Sequence, residues 1–343
     1  MSIEKDLGEF DRISHFFAPL AQGRKGAFSL TDDGALIDDV PRDGSMVATM
    51  DTLVEGVHFL TASPPETVAR KLIGVNLSDL AAMGARPHSC LLSLALPRNI
   101  DDSWLASFAG TLRTMQDEFS FAVIGGDTVA TPGPLTVTLS ALGHIAAPGR
   151  VLRRSAARPS HGVCVSGTIG DGALGLIAAR GGLTELDGND RAYLIDRYNH
   201  PRPRIGLGRV LANLAPETVG GVCDISDGLL ADLGHIGEQS GVRFDIDATR
   251  IPLSPATRHA LDRDPSLIET VLGGGDDYEL VFTLGDTSPG FIEKIIAAGQ
   301  VDVHVIGHAD ATPKANDDGI PLVSARDERG ERITVIHPGY SHF

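Results

Sequence analysis

Positive charge is scarce in this sequence: 29 lysines and arginines stand against 45 aspartates and glutamates, a formal net charge of −16. A field of that sign repels nucleic acid and anionic membrane surfaces, which sets both aside as partners. Cysteine is scarcer still. The three (Cys90, Cys164 and Cys223) lie far apart, with no C-x-x-C pair and no even framework, so a reducing compartment is expected. The opening residues from Met1 to Asp6 lack the apolar stretch of a signal peptide. No run reaches the roughly 18 apolar residues of a membrane span. The expectation is a cytoplasmic protein. Low-complexity segments and fixed-period repeats are missing too. So are several catalytic signatures. Without G-x-x-x-x-G-K-[ST] the chain is not a Walker-type enzyme, and without H-R-D or D-F-G it is not a protein kinase. H-E-x-x-H and G-x-S-x-G are also absent.

What is present is an ordinary globular composition, 42% hydrophobic and 22% charged, over 343 residues. That length exceeds one ordinary core and points to two domains. Forty glycines and twenty prolines are spread along the chain as turns. Phe10, Ile13, Phe17 and Leu20 share one helical face. Strands are expected over 45–50, 89–96, 121–124 and 135–142, with helices over 65–83 and from Asp101 or Asp102 onward. The latter buries Trp104, Phe108, Leu112, Met115 and Phe119. Residues 146–161, rich in Ala, Pro, Gly and Arg, mark the domain boundary, giving 1–148 and 149–343. The second half continues with strands at 162–166, 221–225, 242–247, 278–284 and 302–307. Its helices fall from about 171 and at 203–214, 227–240 and 289–298. Alternating strands and helices make the class α/β or α+β. Gly206-Leu-Gly208 lies in a helical pattern and reads as packing.

The informative feature is where the aspartates fall. Asp51 follows Met46-Val-Ala-Thr-Met50, and Asp127 follows Val123-Ile-Gly-Gly126. Asp224 and Asp227 bracket Ile225-Ser226. Asp276 and Asp277 follow three glycines, Asp32 and Asp33 precede Ala35-Leu-Ile37, and Asp79 interrupts an apolar helix segment. One aspartate at a strand end is a turn former or helix cap. Six such places, several flanked by glycine, suggest more. Glycine lets backbone approach a ligand and offers N–H groups to phosphate. Converging carboxylates repel unless a cation lies between them. Oxygen-only ligands suit magnesium, which also binds substrate phosphates. The composite reads as metal-assisted phosphoryl transfer.

Five segments then carry a resemblance. They are Asp51-Thr-Leu-Val-Glu-Gly-Val-His-Phe59, Val75-Asn-Leu-Ser-Asp-Leu-Ala-Ala-Met-Gly-Ala85, Gly125-Gly-Asp-Thr128, Asp224-Ile-Ser-Asp-Gly-Leu-Leu-Ala-Asp-Leu-Gly-His235 and Asp277-Tyr-Glu-Leu280. In this order they resemble the thiamine-monophosphate kinases, within a superfamily similar to aminoimidazole ribonucleotide synthetase and selenophosphate synthetase. The resemblance runs from about Gly8 to Phe343. It implies a two-domain, aminoimidazole ribonucleotide synthetase-like fold. The N-terminal domain would bind ATP and magnesium and pair its sheet in a homodimer. The C-terminal α/β domain would complete the substrate site. Magnesium ligands would be Asp32, Thr49, Asp51, Asp79, Asp127, Asp224 and Asp227. Gly126, Asp127, Arg154 and Ser226 would contact ATP, and His58, Asp276 and Tyr340 thiamine monophosphate. The catalytic set would be Asp51, Asp79, Asp127, Asp227 and Arg154.

The implied reaction is direct in-line transfer of the γ-phosphate of ATP to thiamine monophosphate. A phosphomonoester has a second pKa of about 6, so this acceptor needs little help from a base. Other readings stay open at this point: a related ATP-dependent synthetase, or a non-catalytic Mg-nucleotide-binding homologue. Arg154 also reads as a solvated basic turn, His58 as a core or cap histidine, Tyr340 as a tail tether, and His235 as structural. The cysteines read as small buried apolar residues. Four positions depart from the family pattern. Ser29-Leu-Thr31 stands for Gly-x-Gly, Met50 for threonine, Val129-Ala-Thr-Pro132 lacks an arginine, and Asp276 stands for glutamate.

Overall fold

The computed structural model describes residues 9–30, 35, 37, 43–61, 63–311, 321–336 and 339–340. Two compact units emerge, one of Met1–Leu80 with Arg86–Ala146, the other of Ala81–Ala85 with Ala147–Phe343. In chain order the first contains α1 (Glu9–Arg12), β1 (Ser45–Val54), α2 (Pro65–Ala82), β2 (Arg86–Leu96), α3 (Asp102–Phe119), β3 (Ala122–Ala130) and β4 (Thr136–Ile145). The last two residues of α2 group with the second unit. That unit continues with β5 (Gly162–Ser166), α4 (Asp171–Ala179), α5 (Gly188–Asn199), α6 (Ile205–Ala212), β6 (Val219–Asp224), α7 (Leu229–Ser240) and β7 (Val242–Asp247). Then come α8 (Pro255–Arg263), α9 (Ile268–Gly273), β8 (Leu280–Leu284), α10 (Pro289–Gly299), β9 (Val303–Ala311) and β10 (Val323–Arg326).

The first sheet has the order β1-β4-β2-β3, with β2 and β3 parallel and β4 antiparallel to both its neighbours. Alternation along β1 separates two faces. Val47 and Leu53 are buried, whereas Met46, Met50 and Thr52 are exposed. The α3 stripe forms as its spacing requires. Asp101 caps the helix by accepting from Trp104 N at 2.8 Å, and Leu105, Phe108, Leu112 and Met115 are buried. Trp104 and Phe119 lie half-buried at the ends of that stripe.

The second sheet runs β10-β7-β9-β5-β8-β6, antiparallel except for β10 with β7. Its two faces feed two cores. Val163 and Val165 point to a core with Leu174, Leu194, Leu233 and Leu272, and Cys164 between them points to one with Leu207, Leu211, Ile292 and Ile295. Helices therefore cover both sides, a mixed α/β arrangement.

Several expectations are corrected. The 9–20 segment is not one helix: α1 passes into a π turn (Ile13–Phe17) and a 3₁₀ turn (Ala18–Ala21). Pro19 lacks the N–H that would continue an α-helix. Strand β3 does not stop at Ile124 but runs through Gly125-Gly126-Asp127 to Ala130, beside β2. Gly126 allows this, because a Cβ there would fall 1.8 Å from Leu92 O. The glycine serves strand packing in the first place. Helices α5, α8 and α9 and strand β10 escaped the sequence reading. The polar run at α5 looks like a loop, yet Asp187 caps it by accepting from Asn189 N and Asp190 N at 2.8 and 2.9 Å. Gly208 behaves as expected, since a Cβ would fall 2.0 Å from Ala81 O.

Candidate functional site

In the first unit a strand motif meets a helix motif. Thr49 and Asp51, two apart on β1, share a face. Asn76 and Asp79, three apart on α2, do the same. Asn76 Oδ1 accepts from Asp51 N at 3.2 Å, which docks the strand on the helix. Thr49 Oγ1 donates to Asp79 Oδ2. Asp51 is then left beside Asp79, and burial together with that neighbour pushes its carboxyl from 3.8 up to about 6. A carboxyl placed where its charge is disfavoured is a candidate for binding a cation. Met50 points to the other face of the strand and is 64% exposed, so its departure from threonine leaves the Thr49–Asp51 face intact.

Asp127 stands apart from that trio. Cross-strand pairing sets Thr52, Thr138, Ser93 and Asp127 in one row on the exposed face. β1 and β3 are the two edges of this sheet, three strand spacings or roughly 14 Å apart. That face lines a cleft of about 490 Å³ that includes Gly125, Gly126, Asp127, Ser93, Leu91 and Phe17. His58 closes the turn after β1. Its Nδ1 accepts from Val54 N at 3.0 Å, which leaves the neutral ring with its proton on Nε2. Asp32 lies outside the described residues.

In the second unit β6 ends at the buried Asp224. The following turn carries Ser226 and Asp227, and its backbone N–H groups do not point outward. Ser226 N, Asp227 N and Gly228 N donate to Asp232 Oδ2 at 3.0, 3.0 and 3.1 Å. Burial and Asp227 raise Asp232 from 3.8 to about 6, although the N–H donors pull it down. Asp227, Asp232 and His235 each bring a ligand atom within 4.8 Å of the others. The sequence reading passed over Asp232 and set His235 aside; only the turn brings both back to Asp227. Tyr340 N donates to Asp227 O at 3.0 Å, which holds the Tyr340 backbone beside this turn with its side chain exposed. Arg154 Nε donates to Cys223 Sγ at 3.2 Å. All three cysteines are free and buried.

Asp276 belongs to a loop of unusual backbone. It and Tyr278 have positive φ, 71° and 51°, at a cost of order 1–3 kcal/mol each. Asp277 between them is buried, and burial pushes its carboxyl up to about 8, against the pull of donors Gly170 N and Gly172 N. Behind the loop lies a buried ionic network. Arg197 meets Glu279 Oε1 at 3.1 Å and Asp171 Oδ2 at 3.8 Å, and Arg204 Nε donates to Glu279 Oε2 at 2.6 Å. Ser254 Oγ and Thr257 Oγ1 donate to Asp171 Oδ1 at 2.5 and 2.7 Å. Two guanidinium groups thus answer Asp171 and Glu279. None of these partners was singled out from sequence.

Comparison with known proteins agrees with this architecture. Residues 31–145 match the family AIR synthase related protein, N-terminal domain. Fold and site therefore define an AIR-synthase-related α/β protein. The chain is 38% identical to the thiamine-monophosphate kinase of Escherichia coli (strain K12) over 337 residues, 98% of each. It belongs to the thiamine-monophosphate kinase family. The crystal structure of thiamine-monophosphate kinase from Stenotrophomonas maltophilia K279a superposes with a TM-score of 0.74 at 35% identity, covering 88% of this chain and 90% of that one. A second structure, AaThiL complexed with AMPPCP and TMP, gives a TM-score of 0.73 at 29% identity and covers 87% of both.

Proposed function

We propose that this chain transfers the γ-phosphoryl group of ATP to the phosphate of thiamine monophosphate, producing thiamine diphosphate and ADP. Family membership and the AMPPCP and TMP of the related complex support the substrates. The observation that carries the chemistry is the Thr49–Asp79–Asp51 arrangement. Two carboxyl groups are pressed together on one strand–helix face, and Asp51 is raised to about 6. A divalent cation reverses that penalty, and an all-oxygen donor set fits magnesium. Thr49, Asp51 and Asp79 would hold it in the first unit, with Asp32 as a further carboxylate; Asp127, on the other face of the sheet, does not join that set. Asp224 and Asp227 are their counterparts in the second. When bound, magnesium supplies neutralisation of the phosphate charge.

The chain's own residues do the rest by position. Gly126, Asp127, Arg154 and Ser226 are the ATP set. Arg154 exchanges its Cys223 contact for phosphate oxygens. His58 offers Nε2–H to the acceptor, Asp276 its carboxylate, and Tyr340 a ring for the thiazolium or pyrimidine. The acceptor is already largely dianionic at neutral pH, so the barrier is in bringing two polyanions into line, not in removing a proton. The exposed sheet face bearing Met50, Leu91 and Val129 (64%, 44% and 46% exposed) supports a homodimer formed through it. The buried free thiols support a cytoplasmic setting. Among the described residues no helix is long and apolar enough to cross a membrane.

The deciding assay incubates the protein with ATP and thiamine monophosphate, with and without magnesium, using thiamine as control acceptor. Magnesium-dependent thiamine diphosphate and ADP, with nothing formed from thiamine, are expected. ATP binding with no diphosphate formed would rule the reaction out.

A further inference from the structure

The positive φ of Asp276 and Tyr278 persists only where the surroundings over-determine it. The Asp277 side chain supplies that constraint. Its Oδ2 accepts from Gly170 N at 2.7 Å and its Oδ1 from Gly172 N at 2.9 Å. The carboxyl group therefore sits on the N-terminus of α4, where backbone donors lack helical partners and the dipole favours negative charge. Gly172 makes the approach possible, because a Cβ there would fall 2.2 Å from Asp276 O. Arg197 Nη2 donates to Asp277 O at 3.2 Å and so holds the main chain as well. From the other side Asp276 N donates to Ser226 O at 2.9 Å and Tyr278 N to Ile225 O at 2.8 Å. The segment is pinned to α4 by one side chain and to the 225–226 backbone by two hydrogen bonds. Asp276 is the half-exposed tip of that clamp.

We propose that Asp277 is a positioning residue: seated on the α4 N-terminus, its carboxyl group fixes the backbone that aims Asp276 at the acceptor substrate. It acts through Asp276 and does not touch the substrate. The acceptor class it serves is one with a cationic ring or an amino-heterocycle, which a carboxylate recognises by charge and hydrogen bonding. The proposal rests on the reading of Asp276 as an acceptor contact, and the test separates the two.

KM for thiamine monophosphate, KM for Mg-ATP and kcat are to be measured for Asp276→Ala, Asp277→Asn and the double variant, each at a temperature where circular dichroism reports a folded protein. An asparagine at 277 turns an N–H toward one of the two glycine donors and loses that bond. Asp277→Asn is expected to raise KM for thiamine monophosphate roughly tenfold, with a smaller change for Mg-ATP. In the double variant the second change adds nothing to KM, since the group being aimed is gone. An unaltered acceptor KM in Asp277→Asn beside a raised one in Asp276→Ala overturns the positioning role. An unaltered KM in Asp276→Ala overturns the reading beneath it. If Asp277→Asn does not fold, Gly172→Ala presses on Asp276 O without changing a charge, and a wild-type KM there overturns the proposal equally.

Discussion

Asp51 is a half-buried carboxylate and Glu279 a fully buried one, and their surroundings treat them in opposite ways. In the first unit burial and the Asp79 carboxylate act together to lift Asp51 to about 6. In the second, Glu279 is fully buried but held by Arg197, Arg204 and Ser166. A buried charge that is paired and hydrogen-bonded is architecture; one held where its charge is disfavoured awaits something else. Family membership alone would not separate these roles, since the segments that carry the resemblance include both residues.

The contrast breaks or holds on two substitutions. Asp51→Asn should lower turnover of thiamine monophosphate by at least about 100-fold, while the urea midpoint without magnesium stays the same or rises, because a disfavoured charge is gone. Glu279→Gln should do the reverse. It takes the Glu279 carboxylate from the buried Arg197 and the half-buried Arg204, and a loss of about 3–5 kcal/mol is expected in urea unfolding, with turnover of the folded enzyme far less affected than in Asp51→Asn. Equal behaviour of the two variants in both measurements would erase the distinction.

A pH series sharpens it. Between the ordinary value of 3.8 and the folded value of about 6, the unfolded chain has lost a proton that the fold retains at Asp51. Its contribution to stability is therefore fully present below about pH 4 and is lost as pH rises through 6. Asp232, also raised to about 6, adds a slope of the same sign. Magnesium needs the ionised form, so it should raise the melting temperature at pH 7.5 and lose that effect by pH 5. In Asp51→Asn the magnesium-free slope should be shallower. A magnesium effect undiminished at pH 5 would refute the assignment.

The smallest expected effect compares two strained segments. Asp276 and Tyr278 are clamped by the hydrogen bonds described above. In the first unit Phe28, Ser29 and Leu30 run through positive φ (48°, 56° and 58°), and of these Ser29 stands where the family pattern has glycine. Ser29→Gly removes a Cβ from a left-handed position and should stabilise the protein by about 1 kcal/mol in urea unfolding. A destabilised variant would mean that the Ser29 side chain supports this turn.

The legible parts of the fold were those with a strong local signal. β5 and β7 fall within the bounds expected for them, 162–166 and 242–247, and α3 starts where Asp101 caps it. The illegible parts were polar helices such as α5, stabilised by a cap and by packing rather than by an apolar stripe. In the site, Thr49, Asp51 and Asp79 were visible as residue types, and their convergence follows from a period of two meeting a period of 3.6. Asp171, Arg197, Arg204, Asp232 and Asp277 were not readable as a set, because their partners lie far along the chain or behind a turn.

By itself the sequence determined the acidic balance, the free thiols, the alternation of strands and helices, and the motifs that carry the family resemblance. These are local or compositional properties, and each residue states them without its neighbours. Tertiary structure alone decided which carboxylates are neutralised by guanidinium groups and which are forced together, that Met50 faces away from Asp51, and that Gly126 admits a neighbouring strand. Charge and packing act through space. The dielectric, the partners and the close approaches that set them exist only once distant segments meet.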